Sequence, residues 1–233
     1  MAKTAVQPRL EQEGIWKQVF QAEGRELLTA EARWPQLAED SAGLRRINRY
    51  YGHLARRWQK RWEGPLLDQA KTAETGGKPW SVSLGYEITL FTPQVLSLRW
   101  EVREDTGERR PRRVRQGAIW VLPQGTPVLP GEIFAPLGKG WRKAVLASVE
   151  EQITARLRAG ESLFREDWVQ GIGRHLSNEG FYLTPEGPWL FYPVESIAPA
   201  LEGFPTFALS SLLPRQPEEA QNPASGQTEN KNF

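Results

Sequence analysis

Side chains suited to nucleophilic or metal chemistry are few in this sequence. It has two histidines, His53 and His175, in separate segments, and it has no cysteine. The lack of cysteine excludes disulfides, thiol catalysis and thiolate metal sites. No Gly-x-Ser-x-Gly or His-Glu-x-x-His motif is present. The sequence therefore predicts no metal site and no cofactor.

Carboxylates remain as candidates for general acid–base catalysis, for example Glu166, Asp167, Glu186 and Glu195. Nothing in their spacing indicates that they converge. The segment Gly138-Lys139-Gly140 resembles a phosphate-binding loop, but Gly131 lies too far upstream and no Ser or Thr follows the lysine. We therefore expect a non-catalytic protein without a nucleotide site.

A cationic helix is the most distinctive charged feature. Residues 41–62 carry one apolar stripe at helical spacing: Leu44, Ile47, Tyr51, Leu54, Trp58 and Trp62. The opposite side is basic: Arg45, Arg46, Arg49, Arg56, Arg57, Lys60 and Arg61. Asp40 or Ser41 is the expected N-cap, and Gly64-Pro65 is the expected end of the helix.

Two interpretations of the basic face stay open. In the first, it is a solvated helix back whose arginine stems cover apolar neighbours. In the second, like charges along the helix favour an acidic polymer or nucleic acid as partner. The candidate anion-binding residues are Arg45, Arg49, Arg56 and Lys60, together with Arg109 and Arg112 from the arginine-rich loop 105–113. His53 lies in the middle of this face.

Alternating apolar and polar residues predict strands over 80–91 and 95–104. A third strand is expected over 117–122. Two short strands are expected at 15–20 and 24–30, the latter also compatible with a helix. Residues 124–140 are predicted to form a Pro- and Gly-rich loop.

A second helix over 141–158 ends at Gly160 and buries one apolar face: Val145, Leu146, Val149, Ile153 and Leu157. The segment 161–176 is expected to be partly helical, with four buried side chains: Leu163, Phe164, Trp168 and Val169.

The aromatic segment 180–213 predicts a rigid and mostly buried C-terminal element. Its first half reads as a hairpin, with strands 181–184 and 189–192 flanking the turn Pro185-Glu186-Gly187-Pro188. Its second half is interrupted by prolines and suits an irregular segment that lies across a core.

Composition indicates an ordinary globular chain of 233 residues, 39% hydrophobic and 25% charged, with a formal charge of +2. The ten tryptophans fit either core packing or a ligand-stacking surface.

We expect a flexible lead-in over 1–13, one α+β domain over 14–213, alternatively two subdomains divided near 140, and a disordered tail over 214–233. The chain shows no apolar leader and no run that could span a membrane, so it is expected to be soluble.

The C-terminal segment resembles the signature of the RsiV-like domain family. The resemblance rests on Phe181-Tyr182-Leu183-Thr184-Pro185-Glu186-Gly187, Phe191-Tyr192-Pro193, Glu195-Ser196-Ile197-Ala198-Pro199 and Gly203-Phe204-Pro205. This family occurs in the extracytoplasmic part of an anti-sigma factor, where it binds lysozyme, and at the N-terminus of some peptidoglycan deacetylases.

The resemblance implies an α+β fold, with helices packed on an antiparallel sheet, and a binding or sensing role at the bacterial envelope. The ligand would be a protein or a cell-wall glycan, held by residues of the hairpin region: Tyr182, Trp189, Tyr192 and Glu195. Lysozymes of that type are basic, so the cationic helix disfavours lysozyme itself. The basic face, acting inside the cell on an acidic polymer or nucleic acid, remains the alternative.

Overall fold

The computed structural model describes residues 10–38, 41–73 and 78–214, which form an α+β fold with two sheets. The first sheet contains β1 to β6 in sequence order: Leu10–Ala22, Arg25–Leu37, Trp80–Phe91, Val95–Asp105, Arg112–Val121 and Thr126–Pro127. The second contains β7 to β9: Phe181–Thr184, Gly187–Phe191 and Thr206–Ala208. The predicted fold class is confirmed, but the first sheet is mixed, because β2 and β3 pair in parallel.

The described residues include five α-helices, α1 to α5: Ala42–Arg61, Leu67–Thr72, Pro130–Ile133, Trp141–Ala159 and Trp168–Arg174. Ser41 caps α1, since its Oγ accepts a hydrogen bond from the backbone N–H of Leu44 at 3.1 Å. Asp40, the other N-cap candidate, lies outside the described residues. Gly160 ends α4 in the left-handed conformation, with φ 67°, as predicted.

The first helix does not end at Gly64-Pro65, and that prediction is wrong. A π-helical turn, Trp62–Leu66, joins α1 to α2, so the chain stays helical to Thr72. Proline lacks the N–H of a regular turn, and a local π-turn accommodates that loss. Leu66 and Ala70 are buried in the first core, which stabilises the continuation.

The first core lies between α1 and one face of the first sheet. Most of the predicted helix stripe is buried, while Leu54 and Trp58 are half-buried. Alternate side chains of the sheet lie opposite: Val82, Leu84, Leu96, Leu98, Trp100 and Val102. Tyr51 fixes this packing, because its buried hydroxyl accepts a hydrogen bond from Trp120 Nε1 at 2.9 Å.

The second core lies between α4 and the second sheet. Val145, Val149 and Ile153 of α4 are buried with aromatic residues of the C-terminal strands. The hairpin prediction is confirmed: β7 and β8 pair in antiparallel fashion, with Thr184 opposite Gly187. The segment that follows also adds β9 to the sheet.

Three predicted core residues are instead exposed: Leu157, Leu163 and Val169. The adjacent Arg156 packs over the Phe207 ring instead, with its Cζ 4.7 Å from the ring centre. Leu163 lies before α5, which begins only at Trp168.

The predicted loop 124–140 contains β6, α3 and a 3₁₀ turn, Ala135–Gly140.

The second sheet packs on the face of the first sheet that points away from α1. The backbone N–H of Leu183 donates to Ser97 Oγ at 2.8 Å. Phe181 lies so close to Gly117 that a Cβ there would meet its carbonyl oxygen. These contacts place β7 against β3, β4 and β5.

The ends of the chain differ from expectation in one respect. β1 begins at Leu10, within the predicted lead-in 1–13, and both β1 and β2 are longer than the predicted strands 15–20 and 24–30. Residues 1–9 and 215–233, which include nearly all of the predicted tail, lie outside the described residues. Within the described ranges, no helix is both long and apolar enough to cross a membrane.

Candidate functional site

The hairpin residues proposed from the sequence lie mainly in the core. Tyr182 and Tyr192 are buried, and the Tyr192 hydroxyl donates to the Ile172 carbonyl at 3.0 Å. Trp189 is half-buried, and its Nε1 donates to Thr184 Oγ1 at 3.1 Å. The Trp189 bond thus joins β8 to β7, and the Tyr192 bond joins the chain after β8 to α5.

Glu195 differs from those aromatic residues because it is exposed. Its backbone has a φ of 65°, and its carboxylate forms an ion pair with Arg110 at 3.0 Å. The pair connects the loop after β8 to the loop between β4 and β5.

The basic candidates lie in two places. Arg45, Arg49, Arg56 and Lys60 are exposed along the outer side of α1, and Arg109 is exposed in the loop before β5. Arg112 begins β5, and its Cζ lies 6.0 Å from the centre of the Trp58 ring. The structure thus brings Arg112, at the end of the arginine-rich loop, to the helix.

A cavity of about 590 Å³ lies between α1 and β5, and we call it the α1–β5 groove. Its helix wall is formed by Tyr50, Leu54, Arg57, Trp58 and Arg61. Tyr50, Leu54, Arg57 and Arg61 follow one another at three- and four-residue spacing, which places them on one side of the helix. The sheet wall is formed by Trp100, Arg112, Val114 and Gln116, and Glu179 closes one side. The groove therefore combines aromatic surfaces with guanidinium groups.

The buried carboxylate of Glu104 orders two of these guanidinium groups. Arg61 donates to both of its oxygens, at 2.7 and 3.0 Å, and Arg112 Nη1 donates at 3.0 Å. Trp62 Nε1 adds a further bond at 3.1 Å. Burial acts to raise the pKa of Glu104, but the hydrogen bonds from Arg61, Arg112 and Trp62 outweigh it, so the pKa lies below its ordinary value.

Arg57 has a different environment. Among the described residues, its guanidinium takes part in no hydrogen bond or salt bridge, and its side chain is exposed at the groove. The pKa of the neighbouring Tyr50 hydroxyl is raised by burial and by Glu179, whereas Arg57 acts to lower it. Arg57 is thus a cation that a ligand can pair with at little cost in existing contacts.

A second cavity, of about 220 Å³, lies on the other face of β5. It is lined by Arg113, Arg115, Phe191 and Phe204, and it shares Val114, Gln116 and Glu179 with the groove. Glu101 accepts hydrogen bonds from Arg113 Nε at 2.7 Å and Arg115 Nη2 at 2.6 Å. Both guanidinium groups stack on the Phe204 ring, at 4.9 and 4.0 Å from its centre.

Gln116 and Glu179 lie at the boundary between the two cavities. Gln116 Nε2 donates to Glu179 Oε2 at 2.7 Å, and Glu179 is exposed. Because this bond is accessible to water, a ligand can replace it.

Part of this site could have been found in the sequence. Leu98, Trp100 and Val102 alternate on the buried face of β4, and the next position in phase is Glu104. A carboxylate at a position that should face the core needs a charged partner when it is buried. Because the chain also has an arginine-rich helix, this pattern indicates an ion pair between Glu104 and an arginine of that helix. The roles of Tyr50, Gln116 and Glu179 depend on tertiary contacts and carry no such signal.

The described residues include no group of three His, Asp or Glu side chains arranged to hold a metal ion. The lining of the groove combines guanidinium groups and aromatic faces with one carboxamide–carboxylate pair. Planar anions suit such a lining, because arginine binds carboxylate or phosphate with two parallel bonds.

Comparison with known proteins shows similarity at the level of fold. No protein-family model matches the chain, and no curated protein has a significantly similar sequence. A DUF3298 family member from Bacteroides fragilis superimposes with a TM-score of 0.59 at 15% identity, covering 86% of this chain and 90% of that one. A DUF3298 family protein from Pseudomonas aeruginosa superimposes with a TM-score of 0.54 at 15% identity, covering 85% of this chain and 89% of that one.

Proposed function

We propose that this protein is a non-catalytic binding module whose ligand occupies the α1–β5 groove. The main support for this proposal is the environment of Arg57. Among the described residues this cation has no partner, and it lies at the rim of a groove with aromatic walls. Arg61 and Arg112 are already oriented by Glu104, so they need little further ordering when a ligand binds. The expected ligand carries a negative charge beside a flat apolar group.

The resemblance of the C-terminal signature to the RsiV-like family supports this proposal, because that resemblance implies a binding or sensing role at the bacterial envelope. The two similar structures, both of the DUF3298 family, support the fold. The ligand in this proposal is a protein or a cell-wall glycan. In this proposal Trp189 and Tyr192 support the fold, since their hydrogen bonds go to Thr184 and Ile172.

The outer face of α1 supports a second candidate function. Arg49, Arg56 and Lys60 are exposed, and no salt bridge within the described residues involves them. An acidic polymer or nucleic acid would be attracted to such a row of charges, with an affinity that falls steeply as salt rises.

Affinity capture from the cells that make the protein separates the two candidates. Envelope and soluble fractions are kept apart and washed at low and high salt. Three baits are compared: the wild type, Arg57→Ala, and a triple variant with Arg49, Arg56 and Lys60 replaced by Glu. Circular dichroism first confirms that all three are folded.

If the ligand occupies the groove, the wild type and the triple variant should both retain a specific partner at high salt. Arg57→Ala should lose that partner. Loss only from the triple variant, with release by salt, would establish the outer face instead. Equal capture by all three baits would contradict both candidates.

A further inference from the structure

We infer that the α1–β5 groove receives an extended acidic peptide segment, which adds a strand to the free edge of β5. The inference rests on the proposed function and specifies its ligand. It depends on three features of β5: an unpaired backbone edge, a cavity on each of its faces, and an excess of positive charge around it.

The outer edge of β5 is unpaired over residues 112–116. β6 pairs with β5 only at Trp120 and Val121, and Val128 adds one backbone bond to Ile119. Within the described part of the chain, no other backbone hydrogen bond reaches this side of β5. Five free residues extend about 16 Å, which accommodates a strand of typical length.

The two cavities lie on opposite faces of this free edge. Arg112 belongs to the lining of the groove, whereas Arg113 and Arg115 belong to that of the second cavity. Val114 and Gln116 line both cavities, so the two spaces meet along the strand. Because successive side chains of a strand point to opposite faces, an added strand would place alternate side chains in the two cavities.

The other edge of the same sheet lacks this arrangement. The cavity beside β1, of about 370 Å³, is lined by Lys17, Thr29, Glu31 and Ser83, on the face away from α1. Charged residues often protect edge strands from aggregation, and this role is enough to explain the charged residues of β1. Protection alone does not explain paired cavities on both faces of β5.

The charge around the free edge selects an acidic partner. Five guanidinium groups line the two cavities, those of Arg57, Arg61, Arg112, Arg113 and Arg115. Three carboxylates oppose them, those of Glu101, Glu104 and Glu179, leaving an excess of two positive charges. Asp or Glu side chains complement this excess, and the half-buried ring of Trp58 favours an apolar residue beside them.

Selection from a randomised, end-capped heptapeptide library tests the proposal. The wild-type chain is the bait, and Arg57→Ala is the counter-selection bait. We expect enriched peptides with Asp or Glu alternating with aliphatic or aromatic residues, and at least about a tenfold weaker affinity for Arg57→Ala. Enrichment of neutral or basic peptides, or no enrichment over the variant, would overturn the inference.

Backbone methylation of the best peptide tests strand addition separately. Only alternate amides of an added strand face β5, so N-methylation of one alternating set should weaken binding by about tenfold or more, and methylation of the other set should not. Equal effects of the two sets would refute strand addition. Hydrogen exchange of the β5 amides supplies a second readout, with slower exchange expected in 112–116 when the peptide is bound.

These results distinguish the inference from the function on which it rests. If a captured cellular ligand depends on Arg57 while no acidic peptide binds, the groove remains the binding site and the peptide inference fails. If neither the cellular ligand nor any peptide depends on Arg57, both proposals fail.

Discussion

Arg61 of α1 and Glu104 of β4 form a two-pronged ion pair, with Arg61 Nε and Nη2 lying 2.7 and 3.0 Å from the two carboxylate oxygens. The Glu104 side chain is 2% exposed and that of Arg61 is 39% exposed. A carboxylate buried to this extent needs charged partners, and this pair supplies one from the helix. The pair therefore fixes the position of α1 over the sheet at the groove.

The first prediction concerns the stability that Glu104 provides. Glu104→Gln removes charged hydrogen bonds from Arg61 and Arg112 but keeps the shape of the side chain. We expect the free energy of unfolding at pH 7 to fall by about 2 kcal/mol, measured by urea denaturation. Glu87→Gln is the matched control, because Glu87 is 59% exposed and its pair with Arg99 is screened by water, so little change is expected.

The pH dependence of that stability follows from the lowered pKa of Glu104. The unfolded chain takes up a proton near the ordinary value of 4.5, and the folded protein takes it up only at lower pH. The contribution of Glu104 is therefore fully present above that value and is lost as pH falls through the folded pKa. The stability difference between wild type and Glu104→Gln should shrink below pH 4.5; a constant difference would contradict this assignment.

A second prediction tests the contact between the two sheets. In Gly117→Ala, the new methyl group would meet the carbonyl of Phe181 and force the sheets apart. We expect a loss of about 1–3 kcal/mol in the free energy of unfolding. Gly85→Ala is the control, because no atom lies within 4 Å of a Cβ at that position of β3. Equal stability of the two variants would show that β7 does not pack against β5 in this way.

A third prediction concerns the buried hydroxyl of Ser97. It accepts a hydrogen bond from the backbone N–H of Leu183 at 2.8 Å and lies 3.0 Å from the Thr89 hydroxyl. Ser97→Ala leaves that N–H without its partner, so we expect a loss of about 1–3 kcal/mol. The exposed Ser83→Ala, also in the first sheet, should change stability by less than about 0.5 kcal/mol. Amide exchange at Leu183 that is as slow in Ser97→Ala as in the wild type would count against this contact.

The main elements of the fold could be predicted because their signals are local. The stripe from Leu44 to Trp62 predicts α1, and the alternation in 80–91 and 95–104 predicts β3 and β4. The helix beyond Pro65 was missed because its stabilisation comes from burial of Leu66 and Ala70, which is a tertiary effect. The parallel pairing of β2 with β3 likewise depends on contacts between distant segments.

Less of the candidate site could be predicted. Sequence analysis singled out the cationic helix and Arg112, but among the exposed arginines of α1 it named Arg49 and left out Arg57. Only the position of β5 beside the helix distinguishes them. The hairpin aromatic residues were chosen for their types, from a segment expected to be mostly buried, and the structure buries Tyr182 and Tyr192 but leaves Trp189 half-buried. Which of these side chains keeps an accessible edge depends on packing that the sequence does not display.

Photo-crosslinking in the cells that make the protein tests the central claim most directly. The crosslinking amino acid p-benzoylphenylalanine replaces Tyr50, on the helix wall of the groove, or His53, exposed and outside its lining. If the groove is the binding site, Tyr50 gives a defined crosslinked partner, His53 gives none, and the Tyr50 product disappears when Arg57→Ala is added. A partner crosslinked from His53 but not from Tyr50 would contradict the account and place binding on the outer face of α1.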